Sequence, residues 1–188
     1  MDLFVEPGTL LLSMPQLMDE NFMHTVVLMC EHSPNGAYGL TVNRPAHLTI
    51  DQLMPEHHVL REMKFPVYTG GPVGHDTLQF VHRRADVIPG GMHLSEDLYM
   101  GGDVEALAEY IAVDPRAADH VRAFIGYSGW GEGQLDTELA TGSWVLAPPS
   151  ETVVFRTDAT ETVWRETLRT LGSGGEDLSH QPPDVSWN

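Results

Sequence analysis

The sequence predicts an α+β fold: a single compact domain in which a mixed β-sheet is flanked by helices. Short apolar runs bounded by Gly and Pro crowd the first half of the chain, which is the pattern of strands. Segments with helical periodicity interrupt the second half irregularly, so the strict strand-helix alternation of an all-parallel sheet is missing. The 188 residues fit one domain, and a domain of that size buries about 70% of its unfolded surface without disulfides or a structural metal.

Residues 9–14 follow the Pro7-Gly8 turn and stop at Pro15, which suits a short buried strand. Strands over 25–31 and 38–43 are joined by Ser33-Pro34-Asn35-Gly36, where Pro presets the turn and Gly closes it, so this pair predicts a hairpin. A brief helix is expected near 50–54, then strands at 67–69, 78–82 and 92–94, separated by Gly70-Gly71-Pro72 and Pro89-Gly90-Gly91. Asp103 is placed to cap a helix reaching Val113, with Val104, Leu107, Ala108 and Ile111 on one face. Residues 121–127 form an apolar strand, followed by a glycine-rich turn, a helix over 134–140 and short strands at 144–147 and 152–155. Asp158 and Glu161 have capping-box spacing for a last helix that carries Trp164, Leu168 and Leu171 on one face and ends at Gly172. The domain therefore covers 1–172, and the acidic, Gly- and Pro-bearing segment 173–188 is expected to be a disordered tail.

The charge is unbalanced: 27 acidic side chains against 10 basic ones give −17, and Lys64 is the lone lysine. Such a surface repels nucleic-acid backbones and anionic membrane leaflets, whose affinity comes largely from Lys and Arg. Carboxylate excess fits adaptation to high salt, where screening relieves self-repulsion, and it fits an ordinary acidic protein equally well. Cys30 stands alone in an apolar run, which leaves no intrachain disulfide and no CxxC motif and suits a buried hydrophobe. The N-terminus lacks a basic region followed by a long apolar one, and no stretch approaches the roughly 20 apolar residues of a membrane helix. A cytoplasmic location is expected, without a signal peptide.

Gly126-Tyr127-Ser128-Gly129-Trp130-Gly131-Glu132-Gly133 lies where phosphate-binding loops lie, between a strand and a helix. It fails the dinucleotide spacing at Gln134 and the hydrolase G-x-S-x-G spacing at Trp130. Gly126, Gly129, Gly131 and Gly133 are read as backbone geometry around an anchored Trp130, and Ser128 is a poor nucleophile. Ten histidines form no HExxH or H-x-E pattern, and the adjacent His57 and His58 would point to opposite faces of an extended segment. No metal and no cofactor are expected. His32 and His82 sit at strand ends, within reach of a cleft. In Asn43-Arg44-Pro45, the proline biases Arg44 toward extended backbone, where it would pair with a carboxylate or bind an anionic ligand.

These segments together resemble the YqgE/AlgH family of bacterial proteins. The resemblance rests on Gly8-Thr9-Leu10-Leu11 with Pro15 and residues 19–22, Glu31-His32, Gly36-Ala37 with Gly39-Leu40, Asn43-Arg44-Pro45, and Gly70-Gly71-Pro72-Val73. It continues through residues 126–131 into Gly133-Gln134-Leu135, Glu138 and Trp144, so it spans about 8–172. The family usually has Ala in place of Ser128 and Glu in place of Asp136, and the first departure weakens any serine-nucleophile role. The resemblance implies a compact α+β domain and supplies no catalytic residues; AlgH-type members are associated with regulation of alginate synthesis and described as candidate transcriptional regulators. The function expected is a non-catalytic regulatory or interaction protein, with an unknown protein partner or small ligand and no direct contact with DNA. The alternative is a small-molecule enzyme gathering His32, Asn43, Arg44, His82 and Gln134 beside the glycine-rich turn. Because −17 leaves no basic patch, the isolated protein should show no tight binding to a DNA duplex by fluorescence anisotropy even at low salt, where non-specific attraction is strongest.

Overall fold

A computed structural model describes residues 4–172 apart from 16 and 18, so the expected tail at 173–188 lies outside the described residues. In chain order the first elements are β1 (Leu10–Ser13), β2 (Val26–Ser33), β3 (Gly36–Thr41), β4 (Pro45–Thr49), α1 (Ile50–Leu53), β5 (Pro66–Thr69) and β6 (Val73–His82). There follow β7 (Met92–Ser95), β8 (Leu98–Met100), α2 (Val104–Val113), β9 (Val121–Trp130), α3 (Gln134–Ala140), β10 (Trp144–Ala147), α4 (Glu151–Val154) and α5 (Thr160–Arg169). The strands make one ten-stranded sheet in the order β10-β1-β2-β3-β9-β6-β8-β7, with β5 also against β9 and β4 on β5. Only the β5–β9 pairing is parallel among the described strands, so the sheet is mixed, as the sequence predicts.

The strands of the meander bury both faces, which is why they read as unbroken apolar runs. Leu10, Leu12, Val26, Leu28 and Cys30 pack on one side with Val163, Trp164 and Leu168 of α5. The alternate residues Leu11, Val27 and Met29 pack on the other with Trp130, Leu135 and Trp144. A third cluster lies under α1 and α2, where Ile50, Leu107 and Ile111 meet Phe80 and Val121. Asp103 caps α2 by accepting from the Ala106 amide at 2.9 Å, and Trp164 donates its indole N–H to the Ser13 carbonyl at 2.8 Å.

β9 is the hub. Its inner edge carries β5 along residues 123–125 and β3 along 128–130, while β6 lies along the other edge. Both β3 and β5 fit on one edge because the chain leaves β5 through Gly70-Gly71. A Cβ on Gly71 would lie 2.1 Å from the Tyr127 carbonyl, and one on Gly70 would lie 2.4 Å from the Gly126 oxygen. Gly126 itself has φ +70, and its Cβ would strike the Gly71 oxygen and the His75 ring, both at 2.4 Å. Backbone atoms cannot yield to such contacts, so glycine is required here.

Several sequence expectations are corrected. The glycine-rich stretch is no turn before Trp130: β9 continues through it, because Gly39, Tyr38 and Ala37 pair with Ser128, Gly129 and Trp130. A Cβ on Gly131 would meet only Gln134 Oε1, at an ordinary 3.9 Å, and its φ is not positive, so its amide donating to Gln134 Oε1 at 3.0 Å matters and its lack of a side chain does not. Residues 151–154 are helix and no strand, because Ser150 Oγ accepts from the Val153 amide and outweighs the β-branched composition. Asp158 does not cap α5; its carboxylate is bound by Arg156 at 2.8 Å, and Ala159 stands at the N-cap without a side-chain bond. The sequence reading also passed over β4, an edge strand headed by Pro45, and β8. Gly71→Ala should therefore lower stability by about 3 kcal/mol or more, while Gly131→Ala changes it by about 0.5 kcal/mol at most, as chemical denaturation would measure.

Candidate functional site

The segment after β3 is fastened from both sides. Asn43 is 2% exposed; its Oδ1 accepts from the Val26 amide at 2.9 Å, and its amide donates to the His24 and Thr160 carbonyls, both at 2.9 Å. Asn43 thus ties β2 and the start of α5 to the β3 exit, with no polar atom left for a ligand. Arg44 next to it donates to the Asn21 carbonyl at 2.5 Å and the Met23 carbonyl at 3.0 Å. The expected carboxylate partner is not what holds it: among the described residues no acidic oxygen lies at ion-pair distance from its guanidinium, although Asp19 acts on it electrostatically. Half-burial lowers its pKa, opposed by Asp19, yet leaves it a cation.

Arg44 opens into a cleft shared with Asn21, Thr41, Thr69, Gly71, Pro72 and His75. Three of the quoted motifs meet there: Asn43-Arg44-Pro45, Gly70-Gly71-Pro72 and the β9 segment from Gly126. The Gly70 carbonyl accepts from the Thr41 amide at 2.8 Å and from Ser128 Oγ at 3.1 Å. Ser128 is fully buried and spends its proton on that bond, so it offers no nucleophile. His75, which sequence reasoning missed, lies over Gly126 with Nε2 2.6 Å from the Gly71 carbonyl. No local motif marks it. It arrives through a wide bulge of β6, in which four residues between Val73 and Leu78 stand against one of β9 between Tyr127 and Ile125.

The other three candidates lie elsewhere. His32 contacts Asp136 Oδ1 at 3.1 Å beside α3. Gln134, at the start of α3 after Gly133 with its φ of 68°, accepts from the Gly131 amide and donates to Glu138 Oε1 at 3.0 Å. Glu138 Oε2 in turn accepts both indole N–H groups, from Trp130 at 2.9 Å and Trp144 at 2.7 Å. Gln134 therefore belongs to the support of the tryptophan cluster. His82 is fully buried at the end of β6, where Nδ1 accepts from the Arg84 amide at 3.1 Å and Nε2 donates to the Gly101 carbonyl at 3.0 Å.

His57 and His58 do not diverge as expected. Their rings stack at 4.7 Å and both reach Glu105, giving a group of three side chains with the spacing of metal ligands. The chemistry of His57 opposes a metal: its Nδ1 accepts from the Val59 and Leu60 amides, both at 3.2 Å, so Nε2 carries the proton and has no lone pair to give.

The arrangement defines a class: a small α+β protein whose sheet crossing builds a recessed cleft around Arg44, in which no hydrogen bond joins a hydroxyl to a histidine among the described residues. An AlgH-like family model (DUF179) matches residues 10–175, and the chain belongs to that family. A UPF0301 protein of Chlorobium limicola is 36% identical over 178 residues, covering 95% of this chain and 93% of its own. One of Chlorobaculum tepidum is 39% identical over 168 residues, covering 89% and 88%. The solution structure of the AlgH protein from Pseudomonas aeruginosa superposes with a TM-score of 0.70 at 25% identity, covering 96% of this chain and 98% of that one. A crystal structure of a Corynebacterium diphtheriae protein shares the fold, with a TM-score of 0.75 at 22% identity and coverage of 96% and 95%. No helix of the described residues is long and apolar enough to cross a membrane.

His82 makes stability depend on pH. Burial pushes its pKa below the ordinary value, against the opposing pull of the Gly101 carbonyl and Asp86. The folded state therefore prefers the neutral ring, and its contribution is complete above about pH 6.5, the unfolded value, and lost as pH falls through the folded one. In denaturation series from neutral to mildly acidic pH, His82→Gln should remove this part of the loss, so the gap between parent and variant narrows as pH falls.

Proposed function

We propose that this AlgH-like protein is a non-catalytic regulatory or interaction protein that recognises a small ligand, or a side chain of a protein partner, at the Arg44 cleft without contacting DNA. One observation carries the reading. The polar residues an active site would use are engaged in three separate places in holding the fold, whereas Arg44 keeps donors to spare at the meeting point of the motifs. Catalysis needs a nucleophile or base in reach of a second group, and the buried Ser128 and the doubly bonded His82 do not supply it.

A thermal-shift screen of metabolites, joined to affinity capture from the native lysate, tests the reading. The ligand or partner found should be lost in Arg44→Ala, which should remain folded within about 2 kcal/mol of the parent, and kept in His32→Ala. Conversion of any metabolite by the purified parent would overturn it.

A further inference from the structure

In a chain with 27 acidic groups to 10 basic ones, a cation without a carboxylate is unusual. Lys64, Arg61, Arg83, Arg84, Arg116, Arg156 and Arg165 all reach one. Arg122 does not, but it is 2% exposed and enclosed by the Val42 and Arg156 carbonyls and the face of Tyr68. Arg44 is the half-exposed counterpart, held in place by two carbonyls that fix its plane and leave its charge unneutralised. A guanidinium has five N–H donors, and these bonds use two, so three remain.

From this placement we infer that the Arg44 cleft is a carboxylate site, taking the acid group of a small organic acid; the inference rests on the cleft being a recognition site, as proposed above. The neighbouring groups fit a single planar anion. Thr69 lines the cleft, and its hydroxyl makes no hydrogen bond among the described residues, which leaves a proton to donate. Gly71 and Pro72 supply a wall without charge. The cleft has a cavity volume of about 50 Å³, far below the 300–1,000 Å³ or so of pockets for drug-sized ligands, so it takes a carboxylate head group, with the rest of the acid in the open mouth, and excludes a nucleotide. One cation in a field of −17 favours a monoanionic group over a phosphate dianion. The Asp19 carboxylate is the local opponent: it acts on Arg44, and its Oδ1 accepts from the Asn21 amide at 2.8 Å at the rim.

The test is titration of the whole protein with acetate, pyruvate and succinate, and with inorganic phosphate as the contrasting arm, followed by amide NMR shifts in low-chloride buffer. At least one carboxylate should saturate shifts at Thr69, Gly71 and His75. Arg44→Gln should abolish the binding, and Thr69→Val should weaken it about tenfold through loss of a bond to a charged group. Asp19→Asn keeps the acceptor for the Asn21 amide and removes the opposing charge, so it should tighten binding several-fold; it touches no fold anchor and protects the test should Arg44→Gln unfold. Saturation by phosphate alone, no shift with any carboxylate, or equal affinity in Asp19→Asn and Thr69→Val would overturn the inference. A neutral ligand or protein partner lost in Arg44→Ala without carboxylate binding would leave the recognition reading standing. Carboxylate binding followed by conversion of the acid would do the reverse.

Discussion

Where Gly70 and Gly71 cross Gly126 and Tyr127, two backbones lie too close for any Cβ, and the layout of the sheet depends on that contact. The Gly70 amide donates to the Ile125 carbonyl at 2.8 Å and its own carbonyl takes the Thr41 amide and the Ser128 hydroxyl, so β5, β3 and β9 are joined at a single residue. Without the crossing β5 and β3 would compete for the same edge of β9. With it, each takes half of the edge, and a concavity is left between the diverging segments. The candidate cleft is that concavity, so its position follows from a steric constraint on the backbone.

A second constraint acts from below. Arg122 is buried on β9 with its guanidinium 3.7 Å from the centre of the Tyr68 ring, and burial pushes its pKa down to about 10, so it stays charged at neutral pH. Two short bonds to the Val42 and Arg156 carbonyls and the aromatic face replace the water it lost. Val42 immediately precedes Asn43 and Arg44. The strand end that presents the cleft is therefore held from within by one arginine and from the flank by Asn43, and Arg44 itself reaches outward to hold the segment before β2. Three adjacent positions secure the same corner by different chemistry.

The acidity of the chain sharpens the meaning of these arginines. Most basic groups reach a carboxylate, whereas Arg44 and the buried Arg122 are bound to carbonyls, which orient a guanidinium without cancelling its charge. At the opposite end of β9, the negative partner is a carboxylate that serves structure: Glu138 accepts both indole N–H groups and the Gln134 amide, and holds Trp130 against Trp144 in an edge-on contact at 5.9 Å. Polar residues of the shared motifs thus divide by role, some locking the sheet and its tryptophans, and Arg44 facing solvent-accessible space.

Local periodicity and turn residues were enough for the α+β class, the hairpin at Pro34-Asn35 and the Asp103-capped helix, and short motifs were enough for the resemblance to the family, because each depends on residues near one another in the chain. The same holds for the need for glycine at 70, 71 and 126, which the motifs signalled without saying what the glycines approach. Only the tertiary structure decided that β9 runs on to Trp130, since a strand through Gly126 and Gly129 forms when β3 is there to pair with it. It alone engaged His32, Asn43 and His82 elsewhere, because each has a partner between 19 and 117 residues away along the chain. It alone brought in His75 and Thr69, whose neighbours are set by a bulge and a crossing. Whether a polar side chain has donors left after folding is a property of the packed molecule, and for Arg44 that remainder is what makes a site.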